Sequence, residues 1–315
     1  MTGRGRQTRR TFALLSLSLL SLALFAGCLN AGQAARSVEA SDGAAEASKV
    51  STSGSGGVPE STVGLTSHLE GDLAGTAEVP FVEGTEESGG SGYDADTVLA
   101  VRYGDHADFE RAVIDLGTGQ ESAGTVPRWT LESTKGDGLL RVNLPSASAT
   151  SVSDGRFDEG LLGSFHVVRA PEGGMVVDFL TREAFLYRVL ELRDPARLVV
   201  DFKPAGERLK VPLPAEGGST VLLEPRPKAA ISDPLTVSGY SRNFEAANTI
   251  TLTGPRGRVL VRRTVRSNDW SHTWGYFEAT LDLPPFPDRG TLKVGNGTAR
   301  DGSFEGVEIP VQAAR

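Results

Sequence analysis

The chain has 315 residues, among them 38 glycines, 17 prolines and one cysteine, with a formal net charge of −8. One thiol permits no internal disulfide, so the fold must rest on cores large enough to stand without staples. The charge is uneven: residues 1–28 carry four arginines and no acid, residues 29–93 two basic and ten acidic side chains, and residues 94–315 carry 26 and 30. An acidic folded part with no evident basic stripe argues against nucleic acid as a partner.

Residues 1–27 read as a cleaved signal peptide. Arg4, Arg6, Arg9 and Arg10 form a basic n-region, and Phe12 to Ala26 is an apolar run interrupted only by Ser16, Ser18 and Ser21. That run is shorter than the roughly 20 residues of a spanning helix. It closes on Leu24, Phe25, Ala26, Gly27 and Cys28, which resembles the bacterial lipobox, with Phe25 where an aliphatic residue is usual. The resemblance implies lipidation of Cys28, which would anchor an exported protein to the outer face of the bacterial cell membrane by two acyl chains. Thr8 to Phe12 also look like a twin-arginine export motif, and the export route stays open between that and general secretion.

Residues 28–94 are rich in Gly, Ser, Ala and Glu and poor in aromatics. Such a segment cannot bury enough surface to order itself, so a disordered acidic tether is expected. As a flexible coil, residues 29–93 would span about 45 Å.

From Thr97 the texture changes to short runs of period two. Leu140, Val142 and Leu144 alternate with Arg141 and Asn143, and Leu198, Val200 and Phe202 with Arg197, Val199 and Asp201. No dozen residues carry a helical stripe, and Gly or Pro interrupts nearly every run. The expected fold class is all-β: two consecutive β-sandwich domains at residues 95–206 and 219–313, with Pro204, Pro212, Pro214, Gly217 and Gly218 marking the boundary.

In the first unit eight strands are expected, from Val98–Tyr103 to Leu198–Phe202. Val101 to Leu116 (VRYGDHADFERAVIDL) and Leu192 to Asp201 (LRDPARLVVD) resemble the AMIN-like domain of bacterial envelope proteins. Related domains bind peptidoglycan, so the resemblance implies a wall-polymer ligand; it does not imply catalysis. Phe109, Ile114 and Leu116 are the core of a sandwich on this reading. Arg102, Tyr103 and His106 are the candidate ligand-binding residues, since an arginine, an aromatic and a histidine at one strand end would stack on sugars and hydrogen-bond their substituents.

In the second unit seven strands are expected, from Val221–Leu223 to Val307–Val311, the immunoglobulin-like number. Pro234 to Gly239 (PLTVSG), Asn243 to Ala246 (NFEA), Gly254 to Gly257 (GPRG) and Trp274 to Ala279 (WGYFEA) look like the immunoglobulin-like domain associated with bacterial spore germination. Phe277, Ala279 and Leu281 alternate with Glu278 and Thr280, so the Trp274 motif is expected to pack a strand, and Gly239 to permit a tight approach. Trp270, His272, Trp274 and Tyr276 form the alternative, a binding platform.

Catalytic signatures are absent: no Gly-x-Ser-x-Gly elbow, no His-Glu-x-x-His, no phosphate loop and no EF-hand spacing. His68, His106, His166 and His272 are scattered, so neither a metal site nor a cofactor is expected. The sequence therefore reads as a non-enzymatic envelope lipoprotein that binds peptidoglycan or another wall polymer, with a second envelope component on the immunoglobulin-like unit. The alternatives are a protein-protein adaptor of the envelope and a wall hydrolase. Cys28→Ser removes the only acceptor for a lipid, so a fatty-acid analogue that labels the wild-type protein should fail to label the variant. Label retained after the substitution would show that the signal has been misread.

Overall fold

The computed structural model describes residues 79–285, 289–297 and 302–314. The signal segment, Cys28, His68 and the tether as far as residue 78 lie outside the described residues. Among the described residues the protein is all-β, and its only helical turns are two 3-10 turns, Phe244–Ala246 and Pro255–Gly257.

Twelve strands build the first sandwich: β1 (Glu86–Gly89), β2 (Thr97–Asp105), β3 (Glu110–Thr118), β4 (Glu121–Ser122), β5 (Trp129–Ser133), β6 (Leu139–Leu144), β7 (Ala149–Thr150), β8 (Asp154–Arg156), β9 (Leu162–Arg169), β10 (Met175–Thr181), β11 (Phe185–Leu192) and β12 (Arg197–Pro204). A six-stranded sheet, in the order β11-β12-β3-β2-β7 with β4 on β3, closes over the half-sheet β1-β5-β6-β10-β9. The inward positions of both, among them Ile114, Leu131, Val142, Phe179, Leu198 and Phe202, make one core. The chain enters this fold earlier than expected. β1 pairs with β5, and Val82 bridges Tyr187, because Phe81 and Val82 supply apolar contacts that the preceding acidic segment lacks.

The outward face of the six-stranded sheet holds a charged row. Arg188, Asp201 and Arg111 lie side by side across β11, β12 and β3. Asp201, fully buried, accepts from Arg111 Nε and Nη2 at 2.6 and 2.9 Å and from Arg188 Nε at 2.8 Å. The Arg188 guanidinium lies 4.7 Å from the Phe81 ring centroid and 5.1 Å from that of Phe109. A buried carboxylate is tolerated only with such full pairing.

Nine further strands follow: β13 (Ala215–Gly217), β14 (Thr220–Glu224), β15 (Ala230–Ile231), β16 (Leu235–Ser241), β17 (Ala247–Thr253), β18 (Val259–Arg266), β19 (Trp274–Leu281), β20 (Arg289–Gly297) and β21 (Phe304–Ala313). A five-stranded sheet, β15-β21-β20-β17-β18, covers a half-sheet of β19, β16, β14 and β13. Ile250, Leu252, Phe277, Leu292, Val294 and Ile309 fill the space between them. Gly239 does permit a close approach: a Cβ there would stand 2.2 Å from the Val221 carbonyl oxygen.

The two half-sheets are one. β9 and β19 pair in parallel, Trp274 opposite Val168 and Gly275 opposite Arg169, so a single ten-stranded sheet runs through both sandwiches. β8 occupies the same edge of β9 further along, at Ser164 to His166. Around this seam Arg169 Nε donates to Asp269 at 2.8 Å, Asn268 Nδ2 donates to the carbonyls of Arg169 and Ala170, and the Thr273 hydroxyl donates to the Val167 carbonyl. On the face away from the two cores, Val168, Val176, Val221, Leu223, Tyr240 and Trp274 form a third apolar cluster that bridges the halves. Gly275 is required here, since a Cβ would come within 2.1 Å of the Asp269 carbonyl oxygen.

Trp274→Ala should therefore lower stability by about 3–5 kcal/mol, the usual cost of removing a buried tryptophan. Calorimetry of the wild-type protein should show one unfolding transition for both sandwiches. Two resolved transitions, with only the second shifted by the substitution, would show that the seam does not couple them.

Candidate functional site

The face carrying the seam cluster also carries a groove. Along β5 and β6 the outward residues are Thr130, Glu132, Arg141 and Asn143, the polar half of the alternation whose apolar half enters the first core. They form one wall of a groove of about 560 Å³, whose other wall is the turn Ala170–Gly174 and whose end is Tyr276 of β19. A second hollow, of about 490 Å³, shares Pro171, Glu172 and Tyr276 with it and continues to Arg266 and Glu278. The groove is thus built from both sandwiches.

Its polar groups are held in place from behind. Arg141 Nε and Nη2 donate to the two oxygens of Asp178 at 2.8 and 2.7 Å; the aspartate is fully buried, while the arginine reaches the groove. Attraction to Asp178 raises the Arg141 pKa, so its charge is permanent. Asn143 Nδ2 donates to Thr130 Oγ1 and Glu132 Oε1 at 3.1 and 3.2 Å. Tyr276 donates to Glu278 Oε2 at 2.7 Å, and burial, with the Glu278 hydrogen bond next, pushes its phenol up to about 12. The groove therefore presents a fixed cation, carboxylates, an amide and a neutral phenol beside Leu144, Pro145 and Pro171. It can bind by hydrogen bonds and charge. No cluster of three or more His, Cys, Asp or Glu side chains suited to a metal occurs among the described residues.

Beneath the same face lies His166, 4 % exposed, flanked in the sheet by Asp154 on β8 and Asp178 on β10. Its ring meets the edge of Trp274 at 4.8 Å and Tyr240 at 5.2 Å, and Glu216 Oε1 is 3.9 Å from Nε2. Burial lowers its pKa, partly offset by Glu216, Asp178 and Asp154.

The sequence-predicted residues are distributed differently. Arg102 points outward from the six-stranded sheet and makes a two-pronged pair with Asp115 at 2.6 and 2.7 Å. Tyr103, next along the strand, turns to the other face and stacks on Phe157 at 4.6 Å; burial, then Glu110 and Asp105, push its phenol up to about 12. His106 stacks on Phe109 at 4.6 Å. The three do not form one surface. In the second set, Trp274 is buried in the seam with its indole N–H donating to Asp154 at 3.1 Å, and Tyr276 enters the groove. Trp270 packs edge-on against Phe244, and His272 is exposed on a turn whose backbone N–H groups converge on Asp269. Arg141, Asn143, Glu132 and Glu172 were not singled out from the sequence, although the alternation Leu140 to Leu144 already turned Arg141 and Asn143 to solvent.

Residues 220–303 match the family model described as the immunoglobulin-like domain of bacterial spore germination, which lies within the second sandwich. That description names a fold and a process, and no reaction. No curated protein and no solved structure matches this chain.

Because the folded His166 titrates below its unfolded value near 6.5, the unfolded chain takes up the proton first as pH falls. Its contribution is fully present above about pH 6.5 and is lost as pH falls through that value toward the folded pKa. The melting temperature should drop more between pH 7.5 and 5.5 in the wild-type protein than in His166→Gln. Parallel pH profiles for the two proteins would remove His166 as the cause.

Proposed function

We propose that this protein is a non-catalytic component of the bacterial cell envelope, anchored through lipidated Cys28, and that its folded part binds peptidoglycan or a related wall polymer in the groove between the two sandwiches. The observation that carries the reading is the array on the groove wall: Arg141 fixed by buried Asp178, with Glu132, Asn143 and Tyr276 beside it. A polymer of amidated sugars and short acidic peptides offers hydroxyl, amide and carboxylate groups, which these side chains complement. The resemblance of residues 95–206 to AMIN-like domains supports the same ligand class. The immunoglobulin-like half contributes Tyr276 and, on this reading, a surface for a second envelope component.

Co-sedimentation with purified wall tests it. Wild-type protein should be retained without releasing soluble fragments. Tyr276→Phe with Asn143→Ala should weaken retention at least about tenfold, a loss of about 1.4 kcal/mol, with thermal unfolding nearly unchanged. Tyr103→Ala with His106→Ala should bind as the wild type does. The reverse pattern would move the site to the end of β2, and release of wall fragments would establish a hydrolase.

A further inference from the structure

Eight arginines of this fold have an acidic partner. Arg102, Arg111, Arg141, Arg156, Arg169, Arg188, Arg226 and Arg242 each lie within 4 Å of a carboxylate. The edge strand β18 and its approach differ. Residues 247–266 contain Arg256, Arg258, Arg262, Arg263 and Arg266 and no acid, in a chain whose net charge is −8. All five are exposed. Among the described residues none forms an ion pair, and Arg263 alone donates a hydrogen bond, to the Thr280 carbonyl at 2.6 Å. A basic stripe, unexpected from overall composition, therefore borders the five-stranded sheet.

The stripe leads into a cleft. Thr253, Gly254, Pro255, Arg256 and Gly257 on one side and Arg289, Gly290, Thr291 and Lys293 on the other enclose about 570 Å³. Among the described residues one carboxylate lines it, Glu308, which Lys293 pairs with at 2.7 Å, so Arg256 and Arg289 are the charges left over among those residues. Across the sheet, Arg262 stands in one row with Thr251 and Lys293, and Arg266 follows it on the same face about 13 Å further along. Charged side chains on an edge strand discourage strand addition, but mixed signs would do so without mutual repulsion. Uniform positive charge running into a hydroxyl- and glycine-lined cleft points to an anionic ligand of some length.

We infer that this cleft and the adjoining face of β18 at Arg262 bind a polymer carrying phosphodiester groups, as a second site outside the groove. Guanidinium groups pair with phosphate oxygens in two-pronged geometry, and threonine hydroxyls donate to them. Among its described lining residues the cleft has no aromatic ring and no large apolar side chain, although the exposed Phe304 ring centroid lies 5.5 Å from Lys293 Nζ, and the contacts it offers are those of cations and hydroxyls with phosphate oxygens.

The test uses the full chain and long-chain inorganic polyphosphate as probe, read by fluorescence anisotropy. Wild-type protein should bind, and raising salt from about 50 to about 200 mM should weaken binding at least about tenfold through counterion release. Arg256→Gly with Arg289→Ala should weaken it by a similar factor and flatten the salt dependence. Glycine also suits the left-handed backbone at Arg256, φ 62°, so the fold is preserved, which an unchanged melting temperature verifies. Arg262→Ala should cost part of the same affinity. Absent wild-type binding at low salt, or unchanged binding in the first variant, overturns the inference. So does tighter capture by phosphatidylglycerol vesicles that the same substitutions release, which would assign the cleft to a membrane surface.

Discussion

Strand β9 has one edge paired along its length with β10; its other edge is divided between β8 and β19. Without β19, the end of β9 at Val168 and Arg169 would leave unpaired backbone groups at a sheet edge, a template for unwanted strand addition. The second sandwich satisfies that edge with two residue pairs and then packs a tryptophan beside them. The contact is short in sequence and large in consequence. It makes ten strands one sheet, brings Tyr240 and Trp274 over His166, and sets Tyr276 at the end of the groove.

Electrostatics reinforces the seam through groups that would be costly if separated. Asp269, nearly buried, faces Arg169 of the other half across the seam, while on the same sheet fully buried Asp178 faces Arg141 within the first half. Removing one member of such a pair leaves an uncompensated charge, so the pairing makes the arrangement specific even where its net contribution is modest. The same logic orders the outward face of the six-stranded sheet around Asp201, where two arginines share one carboxylate and Phe81 and Phe109 cover one of them. Phe81 comes from the stretch just before β1, which explains why chain preceding the first long strand belongs to the fold.

Each long strand was legible from its own residues, because period-two alternation in Leu140 to Leu144 or Leu198 to Phe202 is a local signal that tertiary contacts did not override. The immunoglobulin-like unit was legible from four ordered motifs, and its family match falls on the same stretch. Short strands were not: β8 (Asp154–Arg156) and β13 (Ala215–Gly217) contain three residues each and exist because a partner edge is there. Nor was the groove. Arg141 and Asn143 read as ordinary solvent-facing positions, and what makes them a wall is Tyr276, 135 residues further on from Arg141, which arrives through a parallel pairing with no local signature. Trp274 and Tyr276 are two apart on one strand and share a face, yet one is buried and the other lines an opening. Burial there depends on the neighbouring sandwich. The arginines of β18 were visible in the sequence, but their lack of acidic partners became apparent only once the acids of the chain had been assigned to other arginines.

A seam that joins two sandwiches into one sheet also fixes the distance between sites on the two halves. Had they been joined by a flexible linker, each would sample its ligand independently, and a second contact would gain only the effective concentration the linker allows. In a single compact unit the second contact costs little further orientational entropy once the first is made, provided the ligand can span the separation. Two weak surfaces then suffice for firm retention on a long polymer, and neither needs the depth of a small-molecule pocket. If both hollows bind as proposed, the two residue pairs between β9 and β19 determine binding as well as stability.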